Sequence, residues 1–197
     1  ARAYMGRGRA RWRLNELDGA IEDFNKVIEL TPKDSTAYNN RALAYDNKGQ
    51  HELALADYTK AIEMNPKNAL VYFNRALTWS TVKEPEKALA DYTAAIALDP
   101  KTGMFYVKRG ELLLIRGEYE KAVADCDKAI ELNVKDAAAY FNRAMAYDQM
   151  GEKERVLADY DKAVELGPKV ATVHNNRGFF LMNRGDNEEA IKSFDKA

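Results

Sequence analysis

The sequence predicts an all-α protein, a solenoid of stacked helical hairpins, and three observations support this fold class. A unit of 34 residues repeats from Ala1 onward, and it leaves no part of the chain over as a separate domain. Each unit carries two stretches of apolar residues at helical spacing. Glycine, proline and capping residues recur where helices should begin and end. Because one hairpin is too small to bury its apolar stripe alone, neighbouring units must stack into a continuous core.

The repeat is clearest in two phrases, "VYFNRALTW" at residues 71–79 and "AYFNRAMAY" at residues 139–147, which start two repeat lengths apart. Numbering the positions of a unit from 1 to 34 places repeats 1 to 5 and a partial repeat 6 at residues 1–34, 35–68, 69–102, 103–136, 137–170 and 171–197. Position 20 is alanine in every repeat except the fifth, which has Val156. These repeats therefore form a single array.

The first helix of each repeat is predicted from apolar residues at positions 4, 8 and 11. Position 34 of the preceding repeat supplies side chains that can cap this helix, and these are Asp34, Asn68, Thr102 and Asp136. Position 15 is predicted to end the helix in a left-handed conformation, and four repeats have glycine there: Gly49, Gly117, Gly151 and Gly185.

The second helix is predicted from apolar residues at positions 20, 24, 27, 28 and 30. Pro85, at position 17, fits the first turn of such a helix, where no amide donor is needed. Position 32 follows the second helix, and a proline there cannot continue the helix. This position is occupied by Pro32, Pro66, Pro100 and Pro168, with Val134 in the remaining complete repeat.

The stretch "AYNNRALAYDNKGQHELALADYTKAIEMNP" at residues 37–66 resembles the tetratricopeptide repeat, and the resemblance extends over all 197 residues. It matches an aromatic residue at position 4, small residues at 8, 20 and 27, tyrosine at 11, an aromatic residue at 24 and proline at 32. The resemblance implies a right-handed superhelical solenoid of helix-turn-helix repeats. It also implies a non-enzymatic scaffold that binds another protein.

Composition narrows the classes of function. The net charge of −1, with 31% charged residues, disfavours binding of the whole chain to nucleic acid. No apolar run of about 18 residues and no signal peptide is visible, so we expect no membrane insertion and a cytoplasmic location. The chain starts without Met and ends inside a predicted helix, as an excerpt of a longer protein would. One Cys and two His predict no metal, no cofactor and no catalytic site, and Cys126 is expected to be an inert core thiol.

Arginine occupies position 7 of every repeat, and aspartate occupies position 23 of the first five. An antiparallel hairpin brings these positions side by side. We therefore expect an ion pair within each repeat, namely Arg7–Asp23, Arg41–Asp57, Arg75–Asp91, Arg109–Asp125 and Arg143–Asp159. The alternative is a row of arginines that reaches for a ligand.

A column of asparagines at position 6 consists of Asn40, Asn74, Asn142 and Asn176. On a helical wheel, positions 2, 5, 6, 9, 12 and 13 lie opposite the core positions of the first helix. In tetratricopeptide arrays this face lines the concave groove. Asparagine there offers a donor and an acceptor to a peptide backbone. The alternative is that these amides bond only to neighbouring helices.

The same face is mostly apolar in repeats 3 to 5, which predicts an interaction surface for an apolar or amphipathic segment in extended or helical form. With the asparagines, the predicted peptide-binding residues are Asn40, Leu70, Phe73, Asn74, Leu77, Met104, Val107, Lys108, Leu114, Phe141, Asn142, Met145 and Asn176. We expect Phe73 and Phe141 to be the anchors. The alternative is that neighbouring helices cover part of this stripe.

The carboxylate clamp of chaperone-binding tetratricopeptide domains fits poorly. Its best register gives Asn39, Leu43, Asn74, Met104 and Lys108, of which only Asn74 and Lys108 match. Capture of a C-terminal carboxylate is therefore disfavoured. The asparagine column is more similar to the repeat region of protein O-glycosyltransferases, which implies at most a substrate-holding role.

Two further expectations concern the ends of the array. Arginines crowd the first thirteen residues at Arg2, Arg7, Arg9, Arg11 and Arg13, with Trp12 beside them. The alternative function is therefore binding of RNA or an acidic partner through repeat 1. At the other end, Ala190, Ile191 and Phe194 belong to a partial repeat, and we expect self-association through this uncapped face.

Overall fold

The computed structural model describes residues 1–133, 135–167 and 169–197, and all the regular secondary structure within them is α-helical. Two helices fall within each repeat: α1 Arg2–Arg13, α2 Leu17–Leu30, α3 Ser35–Asn47, α4 His51–Met64, α5 Ala69–Thr81, α6 Pro85–Leu98, α7 Gly103–Ile115, α8 Tyr119–Leu132, α9 Ala137–Met150, α10 Lys153–Leu166, α11 Ala171–Arg184 and α12 Asn187–Phe194. These helices group into two compact units, Ala1–Pro100 and Lys101–Ala197.

The first unit contains α1 to α6. Each helix packs against the next one along the chain, and the first helices of adjacent repeats also touch, α1 with α3 and α3 with α5. Its core is built from fully buried small residues at positions 8, 20 and 27, such as Ala42, Ala54 and Ala61, which surround the buried Tyr58 ring. Small side chains at these positions allow the two helices of a hairpin to approach closely.

The second unit contains α7 to α12 and repeats the same pattern. Consecutive helices pack in pairs, and α7 also touches α9. Ala144, Val156 and Tyr160 occupy positions 8, 20 and 24 of repeat 5, and they are buried together with Tyr147 and Phe180. The Tyr160 ring lies 6.3 Å from the Phe180 ring of the next repeat. The core of this unit therefore runs continuously from one hairpin into the next.

The helix termini follow the sequence signals with one exception. The side chains of Asp34 and Asp136 each accept hydrogen bonds from two amides of the next helix, and Asn68 accepts one from Leu70. Thr102 stands at the equivalent place without a side-chain capping hydrogen bond, which fits the weaker capping tendency of threonine.

Position 15 has a positive φ in all six repeats: Asn15 (61°), Gly49 (74°), Lys83 (62°), Gly117 (75°), Gly151 (75°) and Gly185 (94°). The turn geometry is thus imposed by the hairpin even where the residue is not glycine. Asparagine adopts this conformation with little cost, whereas Lys83 is strained. The position-32 residues Val134 and Pro168 lie outside the described residues.

Candidate binding clefts

The arginine at position 7 forms a two-bond ion pair with the aspartate at position 23 of its own repeat. The Arg41 guanidinium donates from Nε and Nη2 to the two carboxylate oxygens of Asp57, both at 2.7 Å. The same geometry joins Arg75 to Asp91, Arg109 to Asp125 and Arg143 to Asp159, with distances between 2.7 and 2.8 Å. Arg7 donates to Asp23 at 2.6–3.1 Å. The structure thus brings together all five pairs that the sequence suggested.

The remaining guanidinium nitrogen reaches the preceding repeat, which the sequence reading did not anticipate. Arg143 Nη1 donates to Asp127 Oδ1 at 2.6 Å, and Arg41 Nη1 donates to Asn25 Oδ1 at 2.6 Å. Both acceptors stand at position 25, in the second helix of the preceding repeat. Each arginine therefore links the second helix of its own repeat to the second helix of the repeat before it.

The guanidinium also stacks on the tyrosine at position 4 of the same helix, at 5.4–5.9 Å from the ring centroid, in the pairs Arg7–Tyr4, Arg41–Tyr38, Arg75–Tyr72, Arg109–Tyr106 and Arg143–Tyr140. The position-7 arginine uses its N–H donors for hydrogen bonds and the face of its guanidinium for stacking. It therefore stabilises contacts within and between repeats rather than binding a ligand.

The asparagine column is not a continuous ladder. Asn74 Nδ2 donates to Asn39 Oδ1 at 3.3 Å, and Asn40 Nδ2 donates to Met5 Sδ at 3.3 Å. In both cases position 6 bonds to position 5 of the preceding repeat. The residues that precede Asn142 and Asn176 in this pattern are Val107 and Phe141, whose side chains cannot accept a hydrogen bond. The pattern therefore ends where the side chain at position 5 has no acceptor atom.

Burial divides the other predicted groove residues. Phe73 is only 4% exposed and its ring lies 5.8 Å from that of Tyr92, so the expectation of a surface anchor at Phe73 is not retained. Phe141 is half-buried beside Tyr160, at 6.1 Å. Asn74, Val107 and Asn142 are buried; Leu70 and Met104 are exposed; and Asn40, Leu77, Lys108, Leu114, Met145 and Asn176 are half-buried. Neighbouring helices thus cover much of the predicted stripe.

In the first unit, side chains of the first helices α1, α3 and α5, together with Phe24 of α2, enclose a cleft of about 190 Å³. We name it the Trp12 cleft, and its lining consists of Arg9, Trp12, Arg13, Phe24, Asn39, Asn40, Leu43 and Leu70. Arg9 and Arg13 are exposed, and among the described residues neither has an ion-pair partner. Trp12 packs against the core of repeat 1, yet its buried Nε1 atom has no hydrogen-bond partner within the described part of the chain. The cleft combines positive charge, amides and apolar surface.

The second unit has a cleft of about 210 Å³ between α9, α10 and α11. We name it the Phe179 cleft, and it is lined by Met145, Asp148, Gln149, Tyr160, Asn176, Phe179, Phe180 and Asn183. The Phe179 ring is 52% exposed and contacts the Phe194 ring edge-on at 5.1 Å. Burial, together with the nearby Asp148 carboxylate, raises the pKa of Tyr160 well above its usual range, so this phenol stays neutral at physiological pH. Among the described residues that line this cleft, Asp148 is therefore the one with a formal charge.

A larger depression of about 640 Å³ lies beside α12 and is mostly polar. Its two arginines are engaged by carboxylates, Arg177 by Asp161 and Arg184 by Asp186. Because these charges already neutralise one another, the depression is a weaker candidate than the two smaller clefts.

Comparison with known families gives a consistent result along the chain. The sequence model of the tetratricopeptide repeat matches residues 35–68 and 137–170, and related models of the same repeat match residues 8–49, 57–90, 110–151 and 171–197. The chain belongs to the tetratricopeptide repeat family. Proteins of this family generally act as scaffolds that bind other proteins or peptides, as the sequence resemblance implied.

Individual relatives match either a short stretch of the chain at higher identity or most of the chain at low identity. Tetratricopeptide repeat protein 36 of Caenorhabditis elegans is 54% identical over 39 residues, which are 19% of this chain and only 22% of that relative. A tetratricopeptide repeat protein of Parabacteroides merdae superposes with a TM-score of 0.85 at 22% identity, covering 99% of this chain and 77% of its own. YrrB, described as a tetratricopeptide repeat protein with an unusual peptide-binding site, gives a TM-score of 0.72 at 25% identity and covers 88% and 89%.

Most residues of the two clefts follow a tetratricopeptide position rule that was available from the sequence. In the Trp12 cleft every lining residue except Phe24 stands at position 2, 5, 6, 9, 12 or 13 of its repeat. In the Phe179 cleft only Tyr160 and Phe180 fall outside these positions. The peptide-binding residues predicted from the sequence include Asn40 and Leu70 of the Trp12 cleft and Met145 and Asn176 of the Phe179 cleft, but not the other lining residues.

Three further expectations concern the Cys126 thiol, the apolar face of the last repeat and membrane insertion. Cys126 is fully buried, and burial raises the pKa of its thiol to about 12. At the last repeat, Ala190 is 2% exposed and Phe194 is half-buried, so the apolar face there is smaller than expected and consists mainly of Ile191, which is 61% exposed. Within the described residues, every helix is too short or too polar to cross a lipid bilayer.

Proposed function

We propose that this chain is a non-enzymatic scaffold that holds a segment of another protein against the exposed faces of its first helices. The observation that supports this function is the pair of clefts, one in each unit, formed mainly by side chains of first helices from adjacent repeats. Both clefts combine exposed apolar surface with polar groups that can bond to a peptide, which is the usual composition of a small recognition site.

The family supports the same function. Tetratricopeptide proteins bind other proteins or peptides, and YrrB, whose fold this chain shares, is described as having a peptide-binding site. We propose that a partner segment here is anchored by Leu70 in the Trp12 cleft and by Phe179 in the Phe179 cleft. Both side chains are about half exposed, at 50% and 52%, so a ligand can reach them without opening the core.

The alternative, RNA binding through the arginine-rich first repeat, receives less support. Asp23 engages both Arg7 and Arg11, at 2.6 Å and 3.0 Å. Salt-dependent nucleic-acid binding grows with the number of phosphates that basic side chains neutralise. Engagement of two of the five arginines by an internal carboxylate therefore weakens this candidate.

Selection from a displayed random peptide library, followed by fluorescence polarisation with the selected peptides, tests the proposed function. We expect Leu70→Asp or Phe179→Asp to weaken binding of the peptides that use the respective cleft by about tenfold or more. Leu53→Asp is the matched control, because Leu53 is 49% exposed on a second helix and lines neither cleft. Peptides whose affinity is unchanged by both cleft variants would place the binding site elsewhere and contradict the proposal.

We also propose a weaker contact between copies of the chain through Ile191. Its 61% exposure on α12 is the largest among the apolar side chains of the last two helices. Sedimentation velocity across a range of concentrations tests this contact. A concentration-dependent increase in the sedimentation coefficient that Ile191→Asp removes is expected, and a concentration-independent monomer contradicts it.

A further inference from the structure

We propose that the Trp12 cleft selects a partner segment in which a side-chain carboxylate lies close to a large apolar side chain. The inference rests on the proposed function, because it specifies the chemistry of the segment that the scaffold holds in its first unit. It commits the cleft to an acidic peptide.

The charge of the cleft comes from two arginines that have no ion-pair partner among the residues that the structure describes. Arg9 and Arg13 stand four residues apart on α1 and therefore lie one above the other on the same face. Both line the cleft and both are exposed. Arg7 and Arg11 on the same helix are instead engaged by Asp23. The cleft thus holds the part of the arginine cluster that is free to meet an anion, and guanidinium groups match carboxylates in geometry as well as in charge.

The Trp12 side chain adds apolar surface to the same cleft. It lines the cleft and packs against the core of repeat 1. A segment that carries a large apolar side chain next to a carboxylate can therefore contact this surface and the two arginines together.

The amides of the cleft are oriented by their internal hydrogen bonds. Asn39 Oδ1 accepts from Asn74, which leaves the Nδ2 group of Asn39 as a donor for a ligand. Asn40 donates from Nδ2 to Met5, which leaves its Oδ1 as an acceptor. Adjacent residues therefore present one donor and one acceptor, the pair that a peptide group requires.

The apolar part of the lining explains why a peptide fits better than a polyanion. Leu43 of α3 and Leu70 of α5 also line the cleft, and Leu70 leaves half of its surface exposed. A cavity of about 190 Å³ with this lining suits an aliphatic or aromatic side chain. A nucleic-acid backbone would satisfy the guanidinium groups but would leave the leucine surface without an apolar partner.

The test uses the full chain and two short fluorescein-labelled probe peptides, one carrying Glu-Glu-Leu-Phe between Gly-Ser flanks and one with both Glu replaced by Lys. We expect the Glu probe to bind and the Lys probe to bind at least about tenfold more weakly. The Arg9→Gln, Arg13→Gln double variant should weaken the Glu probe by about tenfold or more, and Leu70→Ala should weaken it as well. Binding should also decline between about 50 mM and 200 mM salt.

Arg2→Gln is the matched control, because Arg2 is an exposed arginine of α1 that does not line the cleft. All variants should keep the wild-type circular dichroism spectrum, since Arg9 and Arg13 lie on the surface. Equal binding of the two probes, or an effect of Arg2→Gln as large as that of the double variant, would overturn the inference. So would tighter binding of a single-stranded RNA oligonucleotide that the same double variant abolishes.

The peptide library separates failure of this inference from failure of the proposed function. Selected peptides that depend on Leu70 but show no enrichment of Asp or Glu would overturn the inference and leave the scaffold function intact. Selected peptides that depend on neither cleft would overturn both. Enrichment of acidic residues that disappears when the library is selected on the Arg9→Gln, Arg13→Gln variant is the supporting result.

Discussion

The Arg177 side chain donates from Nε to Asp161 Oδ1 at 2.7 Å, although the two residues belong to consecutive repeats. In the preceding repeat the equivalent arginine, Arg143, has two carboxylate partners, Asp159 and Asp127. Arg177 has one among the described residues, because position 23 of its repeat is Ser193, whose hydroxyl accepts from Nη1 at 2.5 Å. The bond to Asp161 in the preceding repeat should therefore contribute more to the stability of the folded protein than the equivalent bond from Arg143 to Asp127.

The first prediction compares these two inter-repeat partners. Asp161 and Asp127 are equally exposed, at 53%, and each accepts from an arginine that is about one-fifth exposed. Asp127→Ala should lower the free energy of unfolding by about 0.5–1 kcal/mol at most, because Arg143 retains its ion pair with Asp159. Asp161→Ala should cost about 1–2 kcal/mol, because it leaves a largely buried guanidinium without a carboxylate. Equal losses in urea denaturation followed by circular dichroism would show that Ser193 substitutes fully for the missing aspartate.

The second prediction concerns the pair within one repeat. Asp159 has an 8% exposed side chain and accepts two hydrogen bonds from Arg143. Asp159→Ala should cost about 1–3 kcal/mol, because Arg143 loses its two-bond partner and keeps only the bond to the more exposed Asp127. Replacing both Arg143 and Asp159 with Leu removes the guanidinium together with its main partner, so the double variant should be more stable than Asp159→Ala. If chemical denaturation finds the double variant less stable, the pair contributes net stability that apolar contacts do not replace.

Much of the fold could be predicted because the same pattern of residues recurs in every repeat. A period of 34 residues fixes which positions share a face, and an antiparallel hairpin then places Arg41 beside Asp57 without further information. Helix capping was harder to predict where the residue at position 34 is of a type that caps weakly. Asp34 and Asp136 cap their helices, whereas Thr102 at the same position does not.

The binding surface could be predicted only in part, because exposure depends on the distance and tilt between helices. The position rule identified the helix face that lines most of both candidate clefts, but hydrophobicity then favoured residues that the core uses. Phe73 is the clearest example, since its ring turns toward Tyr92 and is 4% exposed. Conversely, Arg9 and Trp12 were noted as part of a basic cluster, and only the structure separates them from Arg7 and Arg11, which Asp23 engages.

The third prediction is an acid dependence from Asp23. Hydrogen bonds from the Arg7 guanidinium hold the pKa of Asp23 below its usual range, with a further contribution from the charge of Arg11. A carboxylate with a lowered pKa in the folded state contributes stability that is fully present above its unfolded pKa of about 4. That stability is lost as the pH falls through the folded pKa. The stability difference between the wild type and Asp23→Asn should therefore shrink as the pH falls from about 7 to about 3. A difference that stays constant over this range in urea titrations would contradict the assignment.

The last prediction uses two glycines at position 8 whose surroundings differ. A Cβ atom added at Gly8 would lie 2.7 Å from Cε1 of Phe24, whereas one added at Gly110 would meet nothing closer than 3.5 Å. Replacing a mid-helix glycine with alanine favours the helix by up to about 1 kcal/mol. At Gly110 only this gain applies, because the aromatic residue of position 24 is replaced by the smaller Cys126. Gly110→Ala should therefore raise the free energy of unfolding by about 0.5–1 kcal/mol.

At Gly8 the same substitution opposes the packing of Phe24, which is 1% exposed and whose ring would have to shift within the core. Overpacking of this kind typically costs about 1–3 kcal/mol, which exceeds the helical gain. Gly8→Ala should therefore lower the free energy of unfolding while Gly110→Ala raises it, with similar urea m-values for the two variants. Gly178 provides an intermediate case, because its Cβ would also meet a phenylalanine at 2.7 Å, but Phe194 is half-buried and can move outward. If Gly8→Ala proves as stabilising as Gly110→Ala, the Phe24 ring has an alternative position in the core, and glycine is not required beneath it.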